Sequence, residues 1–255
     1  MDTDFLITTG QGVFETLRYE DGRLWFWEHH LQRLMRTLTY FAVDVSGTDF
    51  KSIVEDHIAQ SGAEGPLRVK LLVVFPFDRL PKKINEGSIR VYLNKTAPLS
   101  DRPEALSLQT RPSPFSADYP LNPFKTINFG PFFWERYQAG AAGFDDVLFF
   151  RDGRLLETSV ANLFAVKDGQ LFTPPVQEGV LPGVIRQMLL NYLNAREQTI
   201  HWDNLQQYDY FFITNSLIEL QPVKRVDRFE FEGYEESFAR LLKKWRAAKE
   251  TGMIP

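Results

Sequence analysis

The sequence LETSVANLF at residues 156–164 connects two predicted β-hairpins, and it includes the end of the first and the start of the second. Each hairpin consists of two apolar runs that are separated by an Asp-Gly dipeptide. Aspartate and glycine tolerate the positive φ angles of tight hairpin turns, so this spacing predicts antiparallel strand pairs. The predicted hairpins pair residues 146–151 with 154–157 across Asp152-Gly153, and residues 162–166 with 170–172 across Asp168-Gly169.

Helices and one buried strand make up the rest of the second half. A predicted helix over 132–142 ends at Gly143, where glycine can adopt the left-handed conformation of a C-terminal cap. Leu181-Pro182-Gly183 opens a second helix over 184–193, and the apolar run 208–214 predicts a buried strand. A final amphipathic helix is predicted because its apolar residues fall on one face, namely Tyr234, Phe238, Leu241, Leu242 and Trp245.

The first half predicts an antiparallel sheet with two helices. Residues 13–19 alternate as a strand, and the turn 20–23 leads to a short strand at 24–26. A helix follows, and a second one is predicted near 49–61. Further strands are predicted over 67–75 and 88–93. The apolar face of the first helix is formed by Trp27, Leu31, Leu34, Met35 and Leu38.

Two proline-containing stretches separate the halves. Residues 94–103 (NKTAPLSDRP) are polar and predict a linker, and a proline-broken stretch follows over 112–123. We therefore expect a small N-terminal α+β domain over 1–97, a linker and entry segment over 98–124, and a larger C-terminal domain over 125–255.

Composition excludes several classes of function. The chain has 255 residues, 44% hydrophobic and 24% charged, which is enough for a sizeable core. Its net charge of −4 argues against nucleic acid as a partner, because phosphate binding needs a basic excess. With no cysteine, thiolate metal sites and disulfides are excluded. The acidic N-terminus and the lack of a long apolar run predict a soluble cytoplasmic protein with no membrane partner.

Common catalytic signatures are absent from the sequence. It contains no phosphate-binding P-loop, no G-x-G-x-x-G and no G-x-S-x-G nucleophile elbow. The histidines do not have metal-ligand spacing, so no metal is expected, and we interpret all four as surface or capping residues. They are His29, His30, His57 and His201.

Six phrases along the chain carry a family resemblance. They are GQGVFET (10–16), EHHLQRL (28–34), KTIN (125–128), LETSVANLF (156–164), LPGVIR (181–186) and TNSLIEL (214–220). Each phrase alone is weak, but in this order the sequence resembles the class IV aminotransferase family, the fold-type IV pyridoxal-phosphate (PLP) enzymes, from about Gly10 to Val223. This family includes branched-chain and D-amino-acid aminotransferases and 4-amino-4-deoxychorismate lyase. The resemblance implies a two-domain fold of α+β and α/β type, like D-amino-acid aminotransferase, with PLP in the cleft between the domains, and a homodimer.

By this resemblance, three residues have the central roles. Lys125 forms the Schiff base with PLP, and its freed amine then moves the proton on the carbon that bears the substrate amine. Glu157 pairs with the pyridine nitrogen and keeps it protonated, and Arg33 binds the phosphate. Taken alone, Lys125 would be interpreted as a solvated loop lysine and Glu157 as a polar turn residue.

Further cofactor and substrate residues follow from the same resemblance. The backbone amides of Val184 and Ile185 would bind phosphate at a helix start, and Asn215 and Ser216 would add hydrogen bonds to it. The alternative for Asn215 and Ser216 is a polar strand end. Three residues are candidates for the substrate pocket. They are Arg68, for which a structural role in its strand is almost equally plausible, Phe14, and Phe129, which replaces a tyrosine often found in the family.

The sequence departs from the family pattern in three places. Only nine residues precede Gly10, so the usual first strand is expected to be missing or short. Ile185 replaces a common threonine and can offer only its backbone to phosphate. The stretch 76–86, which shapes the substrate pocket in relatives, is short and lacks the usual arginine-glycine turn.

Two reactions of a small-molecule amine substrate fit this pattern. In the first, 4-amino-4-deoxychorismate lyase eliminates pyruvate and gives 4-aminobenzoate for folate biosynthesis. The phrase Thr214-Asn215-Ser216 favours it, since aminotransferases of the family more often have Gly-Thr or Ser-Thr there. In the second, a branched-chain or D-amino-acid aminotransferase transfers the amino group to a 2-oxo acid. A non-catalytic relative is a third hypothesis, and the presence of Lys125, Glu157 and Arg33 argues against it.

Overall fold

The computed structural model describes residues 3–77 and 82–254, with the backbone alone at Lys82, Lys83 and Glu86. Contacts divide the chain into two units. Unit 1 contains Met1–Pro98 and Phe124–Asn128, and unit 2 contains Leu99–Pro123 and Phe129–Pro255. Part of the predicted pocket-shaping stretch 76–86, namely 78–81, lies outside the described residues.

Unit 1 contains a four-stranded antiparallel sheet in the order β2-β1-β4-β6 and a parallel pair of β3 with β5. Asp49 caps α3 by accepting hydrogen bonds from Lys51 N and Ser52 N, and Gly62 ends that helix at φ 59°. The elements are α1 (Thr3–Thr8), β1 (Gly12–Glu20), β2 (Arg23–Leu24), α2 (Trp27–Tyr40), β3 (Val43–Asp44), α3 (Phe50–Ser61), β4 (Leu67–Val74), β5 (Lys82–Lys83) and β6 (Ile89–Lys95).

The sheet of unit 1 has two different faces because side chains alternate along its strands. One face is apolar and packs against the helices α2 and α3. The other face bears Phe14 on β1 and both Arg68 and Lys70 on β4, where Lys70 is the cross-strand partner of Thr16. The buried core of the first face includes Val13, Leu17, Leu34, Leu38, Val54, Val69, Leu71 and Val73.

The segment Phe124–Asn128 runs antiparallel beside the start of β1. Phe14 N donates to Lys125 O at 2.9 Å, Ile127 N donates to Gly12 O at 3.0 Å, and Val13 forms a bridge with Thr126. The KTIN phrase is therefore fixed by backbone hydrogen bonds to the strand that carries GVFET.

Unit 2 is built on one large sheet. Its strands run in the order β12-β11-β10-β14-β15-β7-β8-β9-β13, with β16 on β15, and β9 also pairs with β10. That last pairing, Glu157 opposite Asn162, closes six strands into a barrel-like ring. The elements are β7 (Leu106–Pro112), α4 (Gly130–Ala141), β8 (Asp146–Arg151), β9 (Arg154–Thr158), β10 (Asn162–Lys167), β11 (Gln170–Thr173), α5 (Val184–Tyr192), β12 (Arg196–Glu197), β13 (Ile200–His201), β14 (Tyr210–Asn215), β15 (Glu219–Val226), β16 (Phe229–Glu230) and α6 (Glu235–Glu250).

Two sequence expectations differ from the structure. The predicted linker and entry segment 98–124 contains β7, which pairs in parallel with both β8 and β15. This strand was missed because its partners lie far along the chain. The KTIN residues, predicted to begin the second domain, are grouped with unit 1 through their bonds to β1. As a division into folding domains, the boundaries 1–97, 98–124 and 125–255 stay a prediction.

Thr3–Thr8 form the helix α1, in the region where the resemblance to class IV aminotransferases implies a first strand. Among the residues that the structure describes, no helix combines the length and apolar character that a bilayer crossing requires.

Candidate active site

Lys125 lies beside an aromatic ring of the sheet in unit 1. Its Nζ is 4.7 Å from the centroid of the Phe14 ring, and Phe14 is only 7% exposed. An ammonium group over an aromatic face is attracted by the negative face of the ring. The structure thus brings together two predicted site residues, Lys125 and Phe14.

A second amine, Lys70, contacts the same ring. Its Nζ is 4.2 Å from the Phe14 centroid. Burial lowers the pKa of Lys70, and the nearby charge of Arg68 lowers it further. Within the described part of the chain, neither Lys70 nor Arg68 forms a salt bridge, and the residues opposite Lys70 on the neighbouring strands are Thr16 and Tyr92. Among the described residues, Lys70 and Arg68 therefore have no carboxylate in a salt bridge with them.

Arg33 lies in a buried ionic network. It donates from Nε to Glu15 Oε1 at 2.9 Å and from Nη2 to Glu15 Oε2 at 2.5 Å. His30, one helical turn earlier on α2, contacts Glu15 Oε2 through Nδ1 at 2.7 Å. Glu15 points to the face of β1 opposite Phe14 because side chains alternate. Arg33 therefore lies with Glu15 and His30, and the prediction that all four histidines are surface or capping residues is wrong for His30, which is 1% exposed.

The charges of this network determine its protonation. Burial alone would raise the pKa of Glu15, but the Arg33 guanidinium and the His30 hydrogen bond lower that pKa to about 2. Burial lowers the pKa of His30, and the positive charges of Arg33 and Lys125 act in the same direction. Glu15 is therefore ionised at neutral pH and can only accept, so the proton between it and His30 is on Nδ1.

Glu157 is held at the ring closure of unit 2. Asn162 Nδ2 donates to Glu157 Oε2 at 3.0 Å, and Leu181 N donates to Glu157 Oε1 at 3.1 Å. Both carboxylate oxygens are thus oriented by donors from different elements. A carboxylate held in this way can pair with a protonated ring nitrogen.

The first residues of α5 follow the turn that contacts Glu157, and their backbone amides are potential hydrogen-bond donors. Gly183 is the residue before the helix, and Val184 and Ile185 are its first two residues. The first amides of a helix have no carbonyl partner inside the helix and bind anions readily. The Leu181 amide that contacts Glu157 belongs to the turn just before this helix. The predicted phosphate-binding amides are therefore linked to Glu157, the carboxylate predicted to pair with the pyridine nitrogen.

Asn215 stabilises the turn after β14 with its side chain. Its Oδ1 accepts from Leu217 N at 2.8 Å and from Ile218 N at 3.1 Å, and its Nδ2 donates to Val160 O at 3.3 Å. The amide oxygen is therefore used in shaping the turn that presents Ser216. The predicted phosphate contacts of Asn215 and Ser216 stay predictions.

Two predicted substrate residues remain, Arg68 and Phe129. Arg68 is exposed on β4, two residues from Lys70, and Phe129 packs at the start of α4 against Phe132 and Phe133. The sequence interpretation missed Lys70, and it also missed Glu15 and Asn162, although both lie inside quoted phrases. Alternation in β4 did indicate that Lys70 shares a face with Arg68, and this was the available signal.

Comparisons with known proteins show the family and the fold of the chain. The family model described as amino-transferase class IV matches residues 12–226. A putative branched-chain-amino-acid aminotransferase of Methanocaldococcus jannaschii is 28% identical over 233 residues, which is 86% of this chain and 79% of the relative.

Two solved structures share the fold. A fold IV transaminase from Curtobacterium pusillum has a TM-score of 0.79 at 22% identity and covers 95% of this chain and 88% of its own. A putative 4-amino-4-deoxychorismate lyase from Legionella pneumophila has a TM-score of 0.76 at 23% identity, with coverages of 93% and 92%. The family prediction and the fold-type IV prediction are confirmed, and the chain belongs to the class IV aminotransferase family of PLP-dependent enzymes.

Proposed function

We propose that this enzyme is a 4-amino-4-deoxychorismate lyase. The substrate would lose its enolpyruvyl group as pyruvate, and its ring would become aromatic as 4-aminobenzoate, the folate precursor. The observation that carries this proposal is Lys70, which contacts the same Phe14 ring as Lys125 and lies near the charge of Arg68.

The residues present fit a PLP cofactor. Lys125 offers an amine for the covalent bond, and Glu157 offers a carboxylate for the ring nitrogen. Arg33, the first amides of α5 at Val184 and Ile185, and the turn at Asn215 and Ser216 supply donors for the phosphate. When bound, PLP withdraws electrons from the substrate carbon next to the amine and so makes its proton acidic.

Lys125 would carry out the proton transfer at that carbon. Its amine is the group next to Phe14, and the buried ring limits access of water to that side. The neutral form of the amine is the form that accepts a proton. Glu157, fixed by Asn162 and Leu181 N, would keep the ring nitrogen protonated throughout.

Lys70 would select the substrate. A half-buried ammonium without a carboxylate partner is stabilised when an anion binds beside it. Aminodeoxychorismate bears its two carboxylates away from its amine, whereas a branched-chain amino acid has a single carboxylate next to its amine. Two neighbouring cations, Lys70 and Arg68, therefore match the lyase substrate, which has two carboxylates, better than an amino acid, which has one. Arg68 would contribute from the same face, while Phe14 and Phe129 would offer apolar surface to the ring.

An amino-acid aminotransferase is the second candidate. It is favoured by the relative from Methanocaldococcus jannaschii, whose name is that of a branched-chain aminotransferase. Lys125 and Glu157 serve both reactions, so they do not discriminate between them. In this case Lys125 would return the proton to the cofactor instead of assisting an elimination.

We also propose that the enzyme is a cytoplasmic homodimer. Helix α4 bears three exposed aromatic side chains, Phe133, Trp134 and Tyr137, at 53%, 59% and 65% exposure. Exposed aromatic clusters are typical of protein interfaces. A second copy of the chain is the partner that the family resemblance implies.

The test is an assay of two reactions with one preparation. Enzyme loaded with PLP is incubated with aminodeoxychorismate, and both 4-aminobenzoate and pyruvate are measured. In parallel, it is incubated with branched-chain or D-amino acids and a 2-oxo acid. Equal release of 4-aminobenzoate and pyruvate without a 2-oxo acid supports the lyase. Amino transfer alone would refute it in favour of the aminotransferase.

Lys70→Met tests the role of the cation. Loss of one charge-assisted contact of about 1.5–3 kcal/mol should raise the KM for aminodeoxychorismate about 10- to 100-fold. The absorbance of bound PLP should be unchanged. Lys51→Met, at an exposed position on α3, is the matched control and should behave as wild type. An unchanged KM in Lys70→Met would remove Lys70 from the substrate site.

A further inference from the structure

Asn162 occupies the pairing that closes the strand ring of unit 2. It is 5% exposed and lies opposite Glu157 in the register of β9 and β10. Its Nδ2 donates both to Glu157 Oε2 at 3.0 Å and to Leu181 O at 2.8 Å. Both partners are acceptors, so the side-chain amide of Asn162 is oriented with its nitrogen towards Glu157 and Leu181 O.

The three groups form a closed set of hydrogen bonds. Asn162 bonds the side chain of Glu157 and the carbonyl of Leu181, and the amide of Leu181 bonds the other oxygen of Glu157. Moving any one of them breaks a bond to each of the others. The position of the Glu157 carboxylate is thereby linked to the position of the Leu181–Gly183 turn.

The side chain of Asn162, and not the backbone conformation at residue 183, explains why this position is glycine. Its φ of −68° and ψ of 148° are accessible to any residue. A Cβ at this position, however, would lie 2.0 Å from Asn162 Oδ1 and 3.2 Å from Asn162 Cγ. Asn162 cannot retreat without losing its two hydrogen bonds, so close approach of the α5 start to this side chain needs glycine.

We infer that Asn162 is a positioning residue that fixes two parts of the cofactor site in one geometry. These parts are the Glu157 carboxylate, proposed for the ring nitrogen, and the α5 start at Val184 and Ile185, proposed for the phosphate. The inference rests on the proposed cofactor role of these groups. A PLP molecule held by these groups would contact both parts at once, so an error in their separation would weaken binding at one end or the other.

The test is a double-mutant cycle of Asn162→Ala and Gly183→Ala, with PLP binding as the readout. Apo protein is titrated with PLP and the dissociation constant is taken from the change in absorbance. Asn162→Ala should weaken binding about tenfold, and Gly183→Ala should weaken it at least as much. The double variant should bind no more weakly than Asn162→Ala, because the added Cβ then has no Oδ1 to meet.

Gly130→Ala is the matched control. Gly130 begins α4, and a Cβ there would meet nothing within 4 Å. This variant should bind PLP as wild type does. Additive effects of Asn162→Ala and Gly183→Ala would overturn the inference, as would an unchanged dissociation constant in Asn162→Ala.

Urea unfolding of the same four proteins separates failure of this inference from failure of the proposed function. If wild type binds no PLP, the proposed function fails. The coupling between Asn162 and Gly183 would still be tested, because Gly183→Ala should destabilise the wild-type background more than the Asn162→Ala background. Equal destabilisation in both backgrounds would refute the coupling itself.

Discussion

Replacing Glu15 with glutamine tests the buried network of unit 1. The variant keeps the shape of the side chain and removes its charge, so the buried Arg33 guanidinium loses its ion pair with Glu15. Breaking a buried ion pair by removing one partner costs about 3–5 kcal/mol. The pKa of Glu15 is lowered from the ordinary 4.5 to about 2. This shift corresponds to a stabilisation of the ionised carboxylate in the folded state on the order of 3 kcal/mol, which is similar. We therefore expect Glu15→Gln to reduce the free energy of unfolding by about 3 kcal/mol at pH 7.

The pH dependence gives a second readout with a defined sign. Because the folded pKa of Glu15 is depressed, its contribution is fully present above pH 4.5 and is lost as pH falls through about 2. His30 affects stability at higher pH values. Burial lowers its folded pKa below the ordinary 6.5, so as pH falls the unfolded chain takes up the proton first and stability decreases. In Glu15→Gln, the decline of stability between pH 4.5 and 2 should become shallower.

The assay is urea unfolding of apo protein, followed by tryptophan fluorescence at a series of pH values. Glu55→Gln, at an exposed position on α3, is the control and should change the free energy of unfolding by less than about 0.5 kcal/mol. A loss below about 1 kcal/mol in Glu15→Gln, with an unchanged pH profile, would show that the network does not carry the stability that its burial implies.

Two further predictions concern unit 2. Asp146 is 3% exposed and accepts from Ser159 Oγ at 2.7 Å, but burial raises its pKa above the ordinary 3.8. The free energy of unfolding of the wild type should therefore rise as pH falls through that raised pKa towards 3.8. In urea unfolding, Asp146→Asn should not show this rise. At pH 7 the substitution should change the free energy of unfolding by less than about 1 kcal/mol. A loss of several kcal/mol at pH 7 would contradict this. Trp134→Ser combined with Tyr137→Ser should convert a dimer to a monomer in light scattering, whereas Tyr92→Ser, at an exposed position on β6, should not; a wild-type monomer would refute the proposed interface.

The local elements of the fold could be predicted from the sequence because their signals are short-range. The Asp-Gly dipeptides at 152–153 and 168–169 do adopt positive φ at both residues, with values between 50° and 74°. The hairpins 146–157 and 162–172 are confirmed for this reason. Helix α2 likewise follows from its apolar face, which packs in the core of unit 1.

Other parts of the structure depend on register between distant segments. Strand β7 was missed because it pairs in parallel with strands that begin more than 30 residues away, and parallel pairing leaves no turn signal. His30 contacts Glu15 only because α2 packs on the face of β1 that is opposite Phe14. Asn162 gains its role from opposing Glu157 and meeting Gly183, which no local pattern encodes.

The substrate site shows where sequence reasoning ended. Arg68 and Lys70 lie on the same face of β4 because they are two residues apart, so alternation alone cannot choose between them. Burial does choose, since Arg68 is exposed and Lys70 is half-buried against the Phe14 ring. The family resemblance indicated Arg68, whereas the packing favours Lys70, which contacts the same Phe14 ring as Lys125.

The residue that binds PLP covalently can be identified directly. Purified protein is loaded with PLP, reduced with borohydride, digested and analysed by mass spectrometry. The account predicts a yellow protein whose absorbance band shifts on reduction, with the pyridoxyl group on Lys125 and no adduct in Lys125→Ala. An adduct on Lys70 or another lysine, or a colourless protein that gains no band with PLP, would contradict it.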